Sequence, residues 1–125
     1  MFKVIVAGSR NFDNYEFLKE KMDFFLKGKI DKGKLNFSIE IVSGTARGAD
    51  QLGERYAKER GFALKQFPAN WNLYKKRAGY VRNKQMRDYA DACVVFWDGK
   101  SLGSKHMIDL AKEGNMPIRV VRYKN

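Results

Sequence analysis

The sequence predicts an α/β fold, a three-layer sandwich in which a mostly parallel sheet of about five strands carries helices on both faces. Two observations predict this fold. Short apolar runs alternate along the 125 residues with amphipathic segments of helical period, and glycine-rich turns follow several of the runs. Strands that alternate with helices form parallel sheets, because each connection must return along the sheet before the next strand begins. We expect residues 1–125 to form one domain, since this length supports a single core.

The first half of the chain predicts two strand–helix units. Lys3–Ala7 is the expected first strand, and Asp13 or Asn14 is the expected cap of a helix. The apolar face of that helix is predicted to comprise Tyr15, Leu18, Met22 and Phe25. A lysine- and glycine-rich connection over 28–36 leads to a second strand over 37–42. A second helix begins after a glycine turn at 44–50 and ends at Gly61.

The second half of the chain continues the alternation. A third strand is expected over 62–67, followed by an aromatic and basic segment over 68–79 and a helix over 81–91. Ala92–Trp97 reads as a buried strand, 103–112 as the last helix and 117–123 as the final strand. With the first strand at the centre, these elements make a Rossmann-like sandwich.

Composition excludes several classes of protein. Residues of hydrophobic type make up 44% of the chain, which is typical of a globular protein and not of a disordered one. No apolar run approaches the roughly 18 residues of a membrane span, so we expect no membrane insertion. The first residues read as a strand rather than as a secretory signal. Cys93 is the single cysteine, which excludes an internal disulfide and favours a cytoplasmic location.

The chain is strongly basic, with a net charge of +11 from 25 basic and 14 acidic residues. A surplus of this size attracts nucleic acid or phosphorylated small ligands. The lysines are spread along the whole chain and form no single patch in the sequence, which favours a small phosphorylated ligand over nucleic acid.

Three predicted strand–helix loops carry glycine, hydroxyl and basic residues: 8–10, 44–50 and 98–104. Right-handed crossovers place all such loops at the carboxyl edge of the sheet, where ligands bind in this class of fold. Backbone N–H groups of glycine turns that open helices bind anions. The predicted ligand-binding residues, drawn from these loops and from a helix start at 82–83, are Gly8, Ser9, Arg10, Gly44, Thr45, Arg47, Gly48, Asp50, Arg82, Asn83, Ser101, Gly103 and Ser104.

Some of these residues also have ordinary structural explanations. Gly8 fits a simple turn after a strand, and Ser101 to Ser104 fit an ordinary capped helix start. Arg10 is harder to explain without a ligand, because its guanidinium is suited to bidentate binding of phosphate or carboxylate. Asp50 falls in the first turn of a helix, where the helix dipole favours a carboxylate with or without a ligand. Its predicted functional partner is a ribose hydroxyl.

The segment from Trp71 to Asn83 combines aromatic and basic residues. Aromatic rings stack on nucleobases, and neighbouring cations bind phosphates. Packing of Trp71 and Tyr74 beneath a long loop is the structural alternative.

The inventory of catalytic groups is small. His106, the single histidine, reads as a surface or core-rim residue, and Cys93 lies in an apolar run as a buried, unreactive thiol. No cluster has metal-ligand spacing, and we expect no metal site. The loop at 44–50 lacks the Lys-Ser/Thr ending of a P-loop, so hydrolysis of nucleoside triphosphates is not supported. Asp50 and Asp98 are the candidate acids or bases.

The motifs together resemble the YspA-type, YpsA-related branch of the SLOG superfamily, which is common in bacteria and phages. The resemblance rests on five ordered stretches over nearly the whole chain, namely 4–10, 43–50, 67–71, 78–83 and 101–111. Other branches of this superfamily are DNA-processing protein A and the Lonely Guy phosphoribohydrolases. The resemblance implies a Rossmann-like fold that binds a nucleotide or nucleotide-derived ligand at its glycine loops. No other cofactor is predicted.

Several positions depart from the pattern of the superfamily. Thr45 stands where a second glycine is usual, Asn70 where an aspartate is usual, and Ser104 where a threonine is usual. Lonely Guy enzymes have a glutamate at the position that matches Met107, so the resemblance favours binding over cleavage. The first hypothesis is therefore a protein that senses or sequesters a nucleotide. The alternatives are a nucleotide N-glycosidic hydrolase and, less favoured, a single-stranded DNA-binding module. Assembly into a homo-oligomer is also expected.

Overall fold

The computed structural model describes residues 1–29 and 38–124 and shows the predicted Rossmann-like sandwich. Five parallel strands form one sheet in the order β3-β2-β1-β4-β5, with the first strand at its centre. The strands are β1 (Phe2–Gly8), β2 (Ile39–Ser43), β3 (Ala63–Gln66), β4 (Ala92–Trp97) and β5 (Ile118–Arg122). The helices are α1 (Tyr15–Leu26), α2 (Ala49–Arg60), the single turn α3 (Trp71–Tyr74), α4 (Ala78–Tyr89) and α5 (Leu102–Glu113).

The side chains of β1 alternate between the two faces of the sheet and so divide the core in two. Val4 and Val6 pack with residues of α1 and α2 on one face. Ile5 and Ala7 pack on the other face with residues of α4 and α5, including Met86 and Met107. The helices therefore cover both faces, as the sequence predicts.

The observed boundaries differ from the predicted ones in a few places. Leu26 completes the fully buried face of α1, because the buried side chains after Leu18 recur every four residues, while the predicted Phe25 is partly buried and packs against the same core. α4 begins at Ala78, three residues earlier than expected, because a 3₁₀ turn over Lys75–Arg77 leads directly into it. α5 begins at Leu102, with Ser101 as its N-cap. The predicted connection over 28–36 and the predicted start of the second strand at 37 lie mainly outside the described residues.

No helix within the described ranges has the length and hydrophobicity that a membrane crossing requires. In the same part of the chain, no group of three or more histidine, cysteine or acidic side chains is arranged to hold a metal ion.

Candidate functional site

A cavity of about 480 Å³ lies at the carboxyl edge of the sheet. It is lined by the loops that follow β1, β2 and β4 and by one side of α4. The strand order reverses between the neighbouring strands β1 and β4. Ligands of open α/β sheets ordinarily bind at this point. Its volume falls within the range of small-molecule sites. The structure therefore brings the three predicted loops together at one cavity.

Ten of the thirteen predicted ligand-binding residues line this cavity. They are Gly8, Ser9, Arg10, Arg47, Asp50, Arg82, Asn83, Ser101, Gly103 and Ser104, and Asp98 lines it as well. Gly44, Thr45 and Gly48 are not among the lining residues.

The loop after β1 is tied to both of its neighbours through Ser9, which is buried. The Ser9 N–H donates to the carbonyl of Phe96, and the Ser9 hydroxyl accepts from the N–H of Asp98 at 3.2 Å. Its carbonyl accepts from the N–H of Ala49 at the start of α2. Gly8 has no room for a side chain, since a Cβ there would lie 2.2 Å from the carbonyl oxygen of Phe96. These contacts hold the three loops in a fixed relation.

Contacts within the protein explain why glycine occurs in the second loop. Gly48 has a φ of +86°, and a Cβ on it would lie 2.4 Å from the carbonyl oxygen of Ser9. Gly44 lies against Asp50 and Arg82, and Arg82 donates to its carbonyl. Thr45 has a positive φ of 66°, and its N–H donates to the hydroxyl of Ser43. Contact of these three residues with a ligand remains a prediction.

Asp50 is a buried carboxyl group in the wall of the cavity, 4% exposed. It lies in the first turn of α2 and accepts the N–H of Ala46 at 3.2 Å. Burial raises its pKa to about 6, although the positive charge of Arg82 and the Ala46 hydrogen bond act in the opposite direction. The pKa of Arg82 is lowered, mainly by burial, and Asp50 opposes that shift. Burial thus outweighs the attraction between the two groups.

Arg82 and Asn83 are held by a hydrogen-bond network between α4 and α5. The Arg82 Nε donates to the Asn83 side-chain oxygen at 3.0 Å, which orients the guanidinium. The Asn83 amide nitrogen lies 3.3 Å from the carbonyl of Gly103 and 3.2 Å from Nδ1 of His106. His106 is half-buried, as predicted for a residue at the rim of the core. It supports the site indirectly, through its contact with Asn83.

Asp98 differs from Asp50 in its surroundings. Its carboxylate accepts the N–H groups of Lys100 at 2.8 Å and Ser101 at 2.9 Å. These two hydrogen bonds lower its pKa, with smaller contributions from Asn11 and Ser9. Asp98 is therefore ionised at neutral pH and shapes the third loop. Of the two candidate acids, Asp50 alone has a pKa near neutrality.

The third loop ends in a capped helix. The hydroxyl of Ser101 accepts from the N–H of Ser104, and the Ser104 hydroxyl lies 3.2 Å from the Ser101 hydroxyl. The cap explains these residues without a ligand, and both of them also line the cavity. Met107, 1% exposed, lines the same cavity.

Several lining residues were not among the thirteen predicted ligand-binding residues, although some of them belong to the aromatic and basic segment over 71–83 that the sequence singles out. Tyr80 and Lys76 line the cavity, and Trp71 does so while remaining 53% exposed, so Trp71 is not packed beneath a loop. Gly79 and Met86 also line the cavity, and the signal that was missed for these two is their spacing relative to the predicted Arg82 and Asn83. Positions i, i+3, i+4 and i+7 share one face of a helix, so α4 presents a continuous face to the cavity.

Comparisons with known proteins agree with this architecture. The model of the YspA, cpYpsA-related SLOG family (YAcAr) matches residues 2–74. The Gene 61 protein of Mycobacterium phage D29 is 34% identical over 88 residues, which are 66% of this chain and 70% of that protein.

A solved structure, that of DNA processing protein A (DprA) from Streptococcus pneumoniae, aligns with 99% of this chain at a TM-score of 0.74. The identity is 17% and the chain spans 51% of the DprA chain, so this likeness concerns the fold. The family model covers more than half of the chain and includes the first two loops of the cavity. The chain therefore belongs to the YspA, cpYpsA-related SLOG family.

Proposed function

We propose that this protein binds a nucleotide or a nucleotide derivative in the cavity at the carboxyl edge of the sheet, and so senses or sequesters it. The observation that carries the proposal is the combination of groups in that one cavity. Among the described residues, basic side chains (Arg10, Arg47, Lys76 and Arg82) line it together with the buried carboxyl of Asp50. Phosphate and sugar require different kinds of partner, and this cavity offers both kinds.

The basic side chains are suited to the phosphate. Four basic and two acidic side chains of the described residues line the cavity, so its formal charge is positive. Arginine binds phosphate through paired N–H donors, and Arg82 is already oriented by Asn83 and Gly44. Ser101 and Ser104 add hydroxyl groups at the start of α5.

The Asp50 carboxyl is suited to the ribose. A buried carboxylate in a basic cavity would repel phosphate but accepts hydrogen bonds from sugar hydroxyls. The carboxylate has acceptor capacity beyond its bond from Ala46. We therefore assign the ribose to Asp50 and the phosphate to the arginines.

Cys93 is buried and lies in the apolar core, which fits the reducing cytoplasm that we propose as the location.

One observation favours hydrolysis of an N-glycosidic bond as the second candidate function. The pKa of about 6 makes Asp50 a suitable general acid or base near neutral pH. Binding remains the first proposal, because the apolar Met107 occupies the position of the Lonely Guy glutamate.

A thermal-shift titration with the four nucleoside 5′-monophosphates tests the binding proposal. We expect at least one of them to raise the melting temperature of the wild type but not of Arg10→Ala. Arg119→Ala is the matched control, since Arg119 is an exposed arginine of β5 that does not line the cavity. Absence of any shift, together with tight and salt-sensitive binding of single-stranded DNA, would instead support the DNA-binding module.

Chromatography of the same mixtures separates binding from hydrolysis. Recovery of intact monophosphate supports binding alone. Release of free base that disappears in Asp50→Asn would make the protein a hydrolase. Base release that persists in the Asp50→Asn, Asp98→Asn double variant would exclude both proposed acids.

A further inference from the structure

The rim of the cavity carries two exposed aromatic rings. Trp71 of α3 is 53% exposed and Tyr80 of the first turn of α4 is 46% exposed, and both line the cavity. Asp50 and Asn83, which line the same cavity, are almost fully buried. The cavity therefore has buried polar and charged groups in its interior, beside the apolar Met86 and Met107, and an aromatic rim.

The Tyr80 ring is held in place by its neighbours. It lies edge-on to the ring of His106, with centroids 4.5 Å apart and an interplanar angle of 68°. The Asn83 amide that lies 3.2 Å from His106 also orients Arg82 through its oxygen. One network thus positions a cation for phosphate and an aromatic ring at the rim. A ring that is held in advance loses little conformational entropy when a ligand stacks on it.

Resting on the nucleotide-binding function proposed above, we infer that Tyr80, together with Trp71, stacks on the nucleobase, with His106 as a positioning residue. Each base has a flat aromatic face, and stacking on tyrosine or tryptophan accommodates different bases. The site then selects ligands that carry an aromatic base over base-free sugar phosphates. The aromatic rim thus restricts the ligands to those with a nucleobase, in addition to the phosphate and ribose that the interior of the cavity binds.

The surrounding charge favours an anionic ligand over a second copy of the chain as the occupant of the rim. Lys75, Lys76 and Arg77 lie in the 3₁₀ turn between α3 and α4, next to both aromatic residues. A two-fold interface would bring the same patch of each copy together. The like charges would then repel each other, whereas the phosphate of a nucleotide is attracted.

Calorimetric titration with the four nucleoside 5′-monophosphates and with ribose 5-phosphate tests this inference. We expect the wild type to bind its best monophosphate at least about tenfold more tightly than ribose 5-phosphate. Tyr80→Ala should weaken binding of that monophosphate by about 5- to 100-fold and change ribose 5-phosphate binding by less than about twofold. Tyr80→Phe, which keeps the ring, should bind both probes like the wild type.

Tyr74→Ala is the matched control. Tyr74 belongs to α3 and is 36% exposed, but it does not line the cavity, so its removal should leave both affinities unchanged. His106→Ala should weaken monophosphate binding by less than Tyr80→Ala does. Ribose 5-phosphate binding should change by less still, because the Gly103 carbonyl continues to hold Asn83 beside Arg82. A loss of stability alone would not produce this dependence on the base.

The outcomes separate this inference from the binding proposal. Equal affinity of the wild type for monophosphates and ribose 5-phosphate, or equal behaviour of Tyr80→Ala and Tyr74→Ala, would overturn base stacking but leave sugar-phosphate binding intact. Failure of every probe to bind would overturn both. If Tyr80→Ala alters the sedimentation coefficient of the free protein but no affinity, the rim serves self-association and the inference is wrong.

Discussion

Asp50 gives the protein a pH dependence of stability whose sign and size follow from burial. The ordinary pKa of an aspartate side chain is 3.8, and that of Asp50 in the folded protein is about 6. Between these values the folded protein holds a proton that the unfolded chain has released. The contribution of this group to stability is therefore highest at acid pH and falls as the pH rises from about 4 to 6. The gap corresponds to about 3 kcal/mol in total, of which most is lost between about pH 4 and pH 7.

Asp50→Asn removes this dependence. The difference in the free energy of unfolding between wild type and variant should therefore change by about 2 to 3 kcal/mol between pH 4 and pH 7, with the variant gaining relative to the wild type. The loss of the attraction between Asp50 and Arg82 also changes the stability of the variant. The pH dependence of that attraction is already contained in the Asp50 pKa of about 6, and Arg82 stays charged throughout, so the direction of the trend is preserved.

Urea unfolding of both proteins at several pH values between 4 and 7 measures the effect. Asp98→Asn is the control, because its hydrogen bonds to Lys100 and Ser101 lower the pKa of Asp98. Its contribution to stability is present above its unfolded pKa and is lost as the pH falls through the folded value, the opposite sign to Asp50. Parallel curves for the wild type and Asp50→Asn would show that the pKa of Asp50 is not raised by burial, and would remove it as a proton donor near neutral pH.

Three further predictions concern single residues. Arg10→Ala should weaken nucleotide binding at least about tenfold, as measured by calorimetry. The stability should change little, because Arg10 is exposed. Normal affinity of the variant would show that Arg10 does not bind the ligand. Gly48→Ala should destabilise the fold by about 2 kcal/mol or more in urea unfolding, since its φ is +86° and its Cβ would meet the Ser9 carbonyl. Gly103→Ala, whose Cβ would enter open space in α5, should instead be neutral or stabilising by up to about 1 kcal/mol; equal losses would contradict this explanation. Cys93 should react with a thiol reagent only as the protein unfolds, because it is buried and burial raises its pKa; fast labelling of the native protein would contradict its place in the core.

Local patterns in the sequence were enough to predict the α/β class and the edge at which three glycine loops meet. The spacing of apolar residues and the positions of turn residues distinguish strands from helices over short stretches of sequence. Predicting the fold class therefore requires no knowledge of distant contacts. The edge then follows from the handedness of the crossovers. Arg10 and Asp50 were found because each lies in a loop or first helical turn at that edge.

Long-range packing, in contrast, selects which side chains meet across the cavity. The contact of Arg82 with Gly44 spans 38 residues, and the link from Asn83 to His106 spans 23. No local pattern specifies such pairs. The same holds for the pKa of Asp50, which is raised because α2 and its neighbours exclude water from a carboxyl that would be solvated in an isolated helix. Gly48 likewise reads in the sequence as an approach to a ligand, but it is required by the backbone of Ser9, which only packing brings to it.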